Sequence, residues 1–317
     1  MPGKTRLHKL LVLLALACCL WGHSVWAADP GGPVAILVSD SDEAYRKQAE
    51  SFRDDVDLPA QVFNLQGDIS ADPALKDRIF AAKPVLIYAL GAKAAYAAKL
   101  WTQNRQEIPV IFAMVLNWQR FNLLDGSANM AGIAAEMPAG TQFINLSIFS
   151  PGVKRIGVVY SPYSTELLAQ ARKAAATLGL ELVTEPVDSS KDLQRSFKVM
   201  EDSIDAFWVL SDPILYTLDN LDWLEDRCLK KRLLCVGQSQ NLVKIGISLA
   251  VTPDFSQTST QAAAMAKNIL LHGQKPSEIK VMDPISTQIL LNLKTAKRIG
   301  LSFSPEAMGM ATTVITE

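Results

Sequence analysis

Between about residue 33 and residue 137, short continuous apolar runs alternate with longer stretches of helical periodicity. Val34-Ala35-Ile36-Leu37-Val38 predicts a strand, and a helical pattern follows from about Asp42 to Asp55. Gln61–Leu65 predicts a second strand, Val85–Ala89 a third, Val110–Met114 a fourth and Met130–Ile133 a fifth. Helical patterns near Ala71–Ala82 and over Ala92–Thr102 separate them. Apolar runs without polar alternation, bounded by helices, mark a parallel sheet covered on both faces, because no strand then has a wet side.

The pattern then restarts. A helix over Gln142–Phe149 is broken by Pro151-Gly152, and Arg155–Tyr160 predicts a strand. Helix Thr165–Leu178 stops at Gly179, Leu182-Val183 opens a strand, and a helix spans about Lys191–Asp202. Ala206–Leu210 reads as a central strand, followed by helix Leu221–Leu229 and the run Leu234-Cys235-Val236. The expected fold is α/β, two doubly wound parallel-sheet lobes in tandem. Residues 33–136 plus about 251–280 are expected to form the N-terminal lobe, and 137–250 the C-terminal lobe. The strand Ile247–Val251, helix Phe255–Leu271, strand or edge Ile285–Asn292 and helix Lys294–Ile299 lie beyond the second repeat. This material must return across the interface, with 281–317 recrossing it, which predicts a multi-strand hinge suited to closing around a ligand.

Ahead of the first strand, Lys4, Arg6 and Lys9 precede an apolar run from Leu10 to Trp21, and Val25-Trp26-Ala27 places small residues at the −3 and −1 positions. That is the secretory pattern, so residues 1–27 are expected to be a cleaved signal peptide. The run falls short of the roughly 20 apolar residues a membrane span needs. Acylation of Cys18 or Cys19 would instead give a membrane-anchored lipoprotein, with the cut falling in the middle of the apolar run. An exported, periplasmic chain of about 290 residues is expected.

Composition narrows the chemistry. A net charge of −1 offers no field that recruits nucleic acid. His8 and His23 leave with the signal, and His272 remains at a helix end before Gly273, where a histidine caps carbonyls. One histidine excludes multi-histidine metal sites, and a Ser-His-Asp triad could use only His272. No catalytic residue, cofactor or metal is therefore expected. Cys228 and Cys235 survive processing, and export permits a disulfide between them, although two buried free thiols fit the sequence equally well.

Six stretches carry a resemblance: Ile108–Ala113, Ser150–Pro162, Ala174–Val183, Leu210-Ser211-Asp212, Gly273-Gln274-Lys275-Pro276 and Asn292–Leu301. In this order and spacing, from about Pro84 to Pro305, the chain resembles an ABC-transporter substrate-binding protein family whose better-understood members bind tryptophan or related amino acids. The resemblance implies a type I periplasmic-binding-protein fold with a three-segment hinge and a ligand held between the lobes. It also implies delivery to a membrane permease driven by an ATPase on a separate chain, and no GxxxxGK[ST] phosphate loop occurs here. The chain departs from the family pattern at Leu116-Asn117-Trp118-Gln119, where an acidic Asp-Pro is usual, at Ser161-Pro162-Tyr163-Ser164, and at Pro213-Ile214 after Asp212.

Ligands of open parallel sheets sit beyond the carboxyl ends of the strands, where helix N-termini offer N–H groups. Those ends make Ser41, Gly91, Ala92, Asn117, Trp118, Tyr160, Ser161, Ser164, Asp212, Gln238 and Ser239 the ligand-binding candidates. A ligand carboxylate would meet the N–H groups after Gly91 and Ser161 or Ser164, and an ammonium would meet Asp212. Trp118 would supply an aromatic face. The competing reading is that these Ser, Asp and Gly residues only build turns and caps. Trp208, inside an apolar strand, reads as core. The expected function is that of a monomeric solute-binding component of an importer, taking a small, aromatic amino-acid-like ligand. The alternatives are a sensory module acting on a membrane kinase or receptor, and an exported carboxylate enzyme for which Asp212 is the lone candidate.

Overall fold

The computed structural model describes residues 31–316, so the signal-peptide reading of residues 1–27, with Cys18 and Cys19, lies outside the described residues. In chain order the first lobe runs β1 (Val34–Val38), α1 (Glu43–Val56), β2 (Ala60–Asn64), α2 (Leu75–Ala81), β3 (Leu86–Leu90), α3 (Ala92–Thr102), β4 (Val110–Val115) and β5 (Met130–Ala134). The second begins with α4 (Ala139–Phe149), β6 (Arg155–Tyr160), α5 (Thr165–Thr177), β7 (Glu181–Pro186) and α6 (Leu193–Met200). It continues with β8 (Ala206–Trp208), α7 (Leu218–Lys231), β9 (Leu234–Gly237) and α8 (Gln240–Lys244). Then come β10 (Leu249–Pro253), α9 (Phe255–His272), α10 (Pro276–Ile279), β11 (Val281–Met282), β12 (Thr287–Asn292), α11 (Leu293–Ile299), α12 (Pro305–Met310) and β13 (Thr313–Ile315).

These strands form two sheets. The first has six parallel strands in the order β11-β5-β4-β3-β1-β2. The second has seven in the order β13-β12-β10-β9-β8-β6-β7, parallel except where β12 runs against β10. Both orders reverse beside their first strand, β1 or β6, and such a reversal opens a crevice at the carboxyl ends. β1, β3 and β5 are buried at every position, while the edge strands β2 and β7 are partly exposed. No helix among the described residues is long and apolar enough to cross a membrane.

Local chemistry sets the helix ends. The Asp42 carboxylate accepts from the Ala44 N–H to start α1, and Asp254 does the same for Ser256 at α9, which ends at Gly273 with φ 67°. Several elements are shorter than the apolar pattern predicts, α2 and β8 for reasons the hydrogen bonds show. α2 begins only at Leu75, because Asp72 accepts from the Ala74 N–H and turns the chain there. β8 stops at Trp208: the Val209 N–H still reaches the Val236 carbonyl, but Leu210 already leads into the Asp212 turn.

The cores explain why the chain crosses between lobes. Phe52 of α1 stacks on Tyr88 of β3 at 4.1 Å, and Ala262, Ala263, Met265, Ala266 and Ile269 of α9 close the same cluster. Full burial of a side chain like Phe52 contributes about 3 kcal/mol. The helix after β10, a strand of the second sheet, thus covers the first sheet. In the second lobe Trp208 donates its indole N–H to Gln142 at 2.8 Å and meets Phe143 edge-on, fastening β8 to α4.

The chain passes between the sheets at Ala135–Pro138, at Asp254 and at Asp283–Ser286. The Asp254 N–H donates to the Ser286 carbonyl at 3.0 Å. Gln261 donates to the Asp283 carbonyl at 3.0 Å and accepts from the Ile285 N–H at 3.3 Å. Thr287 at the third crossing lies 3.8 Å from the Met137 sulfur at the first. Three adjacent crossings form one hinge.

Cys228 of α7 and Cys235 of β9 are bonded, with Cα atoms 6.4 Å apart. The link closes a short loop that carries the chain from helix to central strand. Replacing both by serine is expected to cost about 2 kcal/mol in guanidinium unfolding, with an unchanged far-UV circular dichroism spectrum.

Candidate functional site

At the carboxyl end of β1, the Ser39 hydroxyl donates to the Leu90 carbonyl at 2.9 Å and accepts from the Ala94 N–H at 3.0 Å. It therefore ties β1 to β3 and caps the first turn of α3. Gly91 lies between them at φ 87°, and a Cβ there would fall 2.5 Å from the Tyr45 hydroxyl and 2.6 Å from that of Ser39. Both the backbone and the packing demand glycine at this point. Ala92, half-buried, opens α3. Burial in this corner, reinforced by Asp40 and Asp42, raises the Tyr45 phenol above its ordinary value. Ser41 is directed elsewhere. It is exposed, accepts from Asn64 at 3.0 Å and lines a separate depression of about 270 Å³ with Arg46 and Arg53.

Asp212, at the carboxyl end of the second sheet, is 1% exposed. Its Oδ2 accepts from the Ser161 N–H at 3.1 Å and from the Ser161 and Ser164 hydroxyls at 2.8 Å each, and Oδ1 accepts from the Ile214 N–H at 3.1 Å. In this conformation Asp212, expected to pair a ligand ammonium, and Ser161 and Ser164, expected to hold a ligand carboxylate, are turned on one another. Four donors occupy the carboxylate, and both serines are buried facing it. The cluster joins the loop after β6 to the loop after β8. Tyr160, half-buried, packs on the second-lobe core. Ser239 caps α8 by accepting from the Leu242 N–H at 3.4 Å. Gln238 accepts from the Ser211 hydroxyl at 3.4 Å, but its buried Nε2 has no hydrogen-bond partner.

Between the lobes lies a cavity of about 140 Å³. Asn117, Trp118, Gln119 and Ala134 line it from the first lobe, Glu136, Met137 and Pro138 from the first crossing, Leu167 and Gln170 from α5, and Asp283 from the third crossing. Asn117 adopts a left-handed backbone at φ 47°. Its N–H donates to Glu136 Oε1 at 2.8 Å, and its side-chain amide donates to the Tyr163 carbonyl of the opposite lobe. The Arg120 guanidinium lies 3.9 Å from the centre of the Tyr163 ring, a second contact across the gap. Trp118 leans on Phe112 with ring centroids 6.2 Å apart and lines the cavity.

Glu136 is the residue the sequence pattern concealed. Burial pushes its carboxyl up from 4.5 to about 7, against the lowering effect of the Asn117 N–H. The one signal available was a single acid between Ala135 and Met137 at the end of an apolar strand. Leu167, Gln170 and Asp283 carried none, since only the tertiary fold brings α5 and the third crossing to this place. Of the sequence candidates, the cavity gathers Asn117 and Trp118. The arrangement combines an aromatic face, amide groups and a carboxylate, all suited to holding a small molecule.

A family profile described as ABC transporter substrate binding protein matches residues 48–315. Comparison with curated proteins gives no match. Among solved structures, the chain is similar to the ligand-free, open form of a substrate binding protein with adhesive properties from Clostridium difficile, with a TM-score of 0.75 and 18% identity over 90% of this chain and 100% of that one. It is similar to an ABC domain in complex with L-Trp from Streptococcus pneumonia, with a TM-score of 0.61 and 20% identity over 90% and 99%. A Caulobacter myo-inositol binding protein matches with a TM-score of 0.50 and 15% identity over 84% and 96%. Likeness at this identity establishes the fold, that of type I periplasmic binding proteins.

Two outcomes follow from the site's carboxylates. Asp212→Ala leaves two hydroxyls and two amides without their acceptor, and is expected to lose about 3 kcal/mol in denaturant unfolding. Glu136 differs in sign. Between its unfolded value near 4.5 and its folded value of about 7, the folded chain keeps a proton that the unfolded chain releases. This group therefore favours folding most below pH 4.5, and its contribution is lost as pH rises toward 7. The stability gap between Glu136→Gln and the parent chain is expected to widen in the variant's favour by about 1 kcal/mol per pH unit across that window, as read from unfolding curves at pH 5, 6 and 7.

Proposed function

Because this chain belongs to the ABC transporter substrate binding protein family, we propose that it captures a small solute between its lobes and presents it to a membrane permease. An ATPase on a separate chain would power that permease, and the capture would take place outside the cytoplasmic membrane. The observation that carries the reading is the 140 Å³ cavity beside the hinge, bounded by both lobes and by two of the three crossings. A site so placed closes when the lobes close, which converts ligand binding into a shape a partner can read.

The lining favours an amino-acid-like ligand with an apolar or aromatic part. Trp118 offers a ring face, Leu167 an apolar wall, and Asn117 with Gln170 polar groups that fix orientation. Gly91, Ala92, Tyr160, Gln238 and Ser239 border the same carboxyl-end edges, where the unpaired Gln238 amide can serve a larger ligand. A cavity of about 150 Å³ holds one benzene ring, so this conformation has room for a ring or a short aliphatic chain but not for a whole aromatic amino acid or amine, which needs the lobes to part. An indole requires the lobes to part, and the Streptococcus pneumonia relative was crystallised with L-Trp.

Isothermal titration against the twenty amino acids, simple sugars and small organic acids tests capture directly. Saturable heat with at least one amino acid supports it, and silence across the set sinks it. Trp118→Ala is expected to weaken an aromatic ligand by roughly tenfold, the worth of one aromatic contact, while leaving the unfolding temperature within a few degrees.

A further inference from the structure

Glu136 has a balance of partners that ordinary structural carboxylates lack. Its Oε1 takes the Asn117 N–H, while Oε2 takes no hydrogen bond and no lysine or arginine pairs with it. Every element packed around it tells the same story. α4 carries no ionisable residue, and α5 turns the neutral Leu167 and Gln170 toward the cavity. The third crossing adds a second carboxylate, Asp283, at the exposed rim. The turn after β4 brings Arg120, but its guanidinium rests on the Tyr163 ring. The cavity thus holds two acids and no base among the described residues.

Resting on the solute-capture reading above, we propose that Glu136 is the specificity-determining residue of the interlobe cavity, selecting solutes that carry a cationic nitrogen over those that carry only a carboxylate. A cation placed against Oε2 gives this partly buried oxygen a charge-assisted partner that the protein itself does not supply, in place of water. An anion at the same place meets like charge and no donor except the amides of Asn117 and Gln170. Asp283, nearer water, assists by its field and not by close contact.

Capture is then linked to protons. The free carboxyl titrates near pH 7, and a cation binds only its ionised form, so each capture below that pH expels a proton. Affinity for a permanent cation rises with pH through 7 and levels above it. At pH 5.5 roughly one carboxyl in thirty is ionised, which sets the expected loss at about 30-fold relative to pH 8.

The test uses phenethylamine, L-phenylalanine and 3-phenylpropionate, three probes with one ring, titrated calorimetrically into the mature chain at pH 8 and pH 5.5. The amine and the amino acid are expected to bind at least tenfold more tightly than the propionate at pH 8, and the amine to weaken about 30-fold at pH 5.5. Glu136→Gln is expected to abolish both the preference and the pH dependence, and Asp283→Asn to reduce the preference by a few-fold only. Thermal unfolding at both pH values checks that each variant is folded. Equal or tighter binding of 3-phenylpropionate, or a pH dependence that survives in a folded Glu136→Gln chain, overturns the assignment while leaving solute capture intact. Failure of all three probes together with the twenty amino acids, simple sugars and small organic acids overturns capture itself.

Discussion

Parallel strands dictate the rest of this molecule. A parallel pair cannot be closed by a tight turn, so each connection must climb back over the sheet, and every strand of a lobe then ends on the same edge. All the loops that follow β1, β3, β4 and β5 gather on one edge of the first sheet, and those after β6, β8 and β9 on one edge of the second. Three crossings then fix the two edges relative to one another. Because Gln261 binds the Asp283 carbonyl and the Ile285 N–H, and Asp254 binds Ser286, the second and third crossings behave as one ribbon beside the first. The cavity at Asn117, Glu136 and Asp283 is the space left where that ribbon meets the two edges.

Two acids at these edges show how the number of donors sets a carboxylate's role. Asp212 receives four hydrogen bonds from its own loops and is spent on holding them. Glu136 receives one, loses most of its water, and rises to about 7. The first is a fastening; the second has unused capacity. Glu136 is partly exposed, so water meets the oxygen that the protein leaves without a donor.

The sequence made the architecture legible because the signal lies in whole segments. Continuous runs such as Val34–Val38 and Met130–Ala134 are buried at every position, and the helix stop at Gly273 follows from a left-handed backbone. The ordered resemblance from Pro84 to Pro305 pointed to the same family as the profile match. The site was less legible. Asn117 and Trp118 were found because a polar and an aromatic residue follow an apolar strand. Asp212, Ser161 and Ser164 look like ligand groups in sequence, yet they satisfy each other across 51 and 48 positions of chain, a distance over which spacing carries no information. Glu136 was missed for the opposite reason: its importance comes from the water it lacks, and desolvation is a property of the fold, not of the neighbouring letters.

Asn117 joins recognition to closure. Its left-handed backbone turns the N–H toward Glu136 in its own lobe, while its side-chain amide reaches the Tyr163 carbonyl in the other. An ionised Glu136 is a stronger acceptor than a protonated one, so holding its charge strengthens the Asn117 N–H bond and steadies the side chain that bridges the lobes. The Arg120–Tyr163 contact adds to the same seam. A cation held as proposed would act on two equilibria at once, the ionisation of Glu136 and the docking of Tyr163, through one intervening residue. On the proposed assignment, selectivity and lobe closure would need no separate machinery, because Glu136 is hydrogen-bonded to Asn117, which spans the gap.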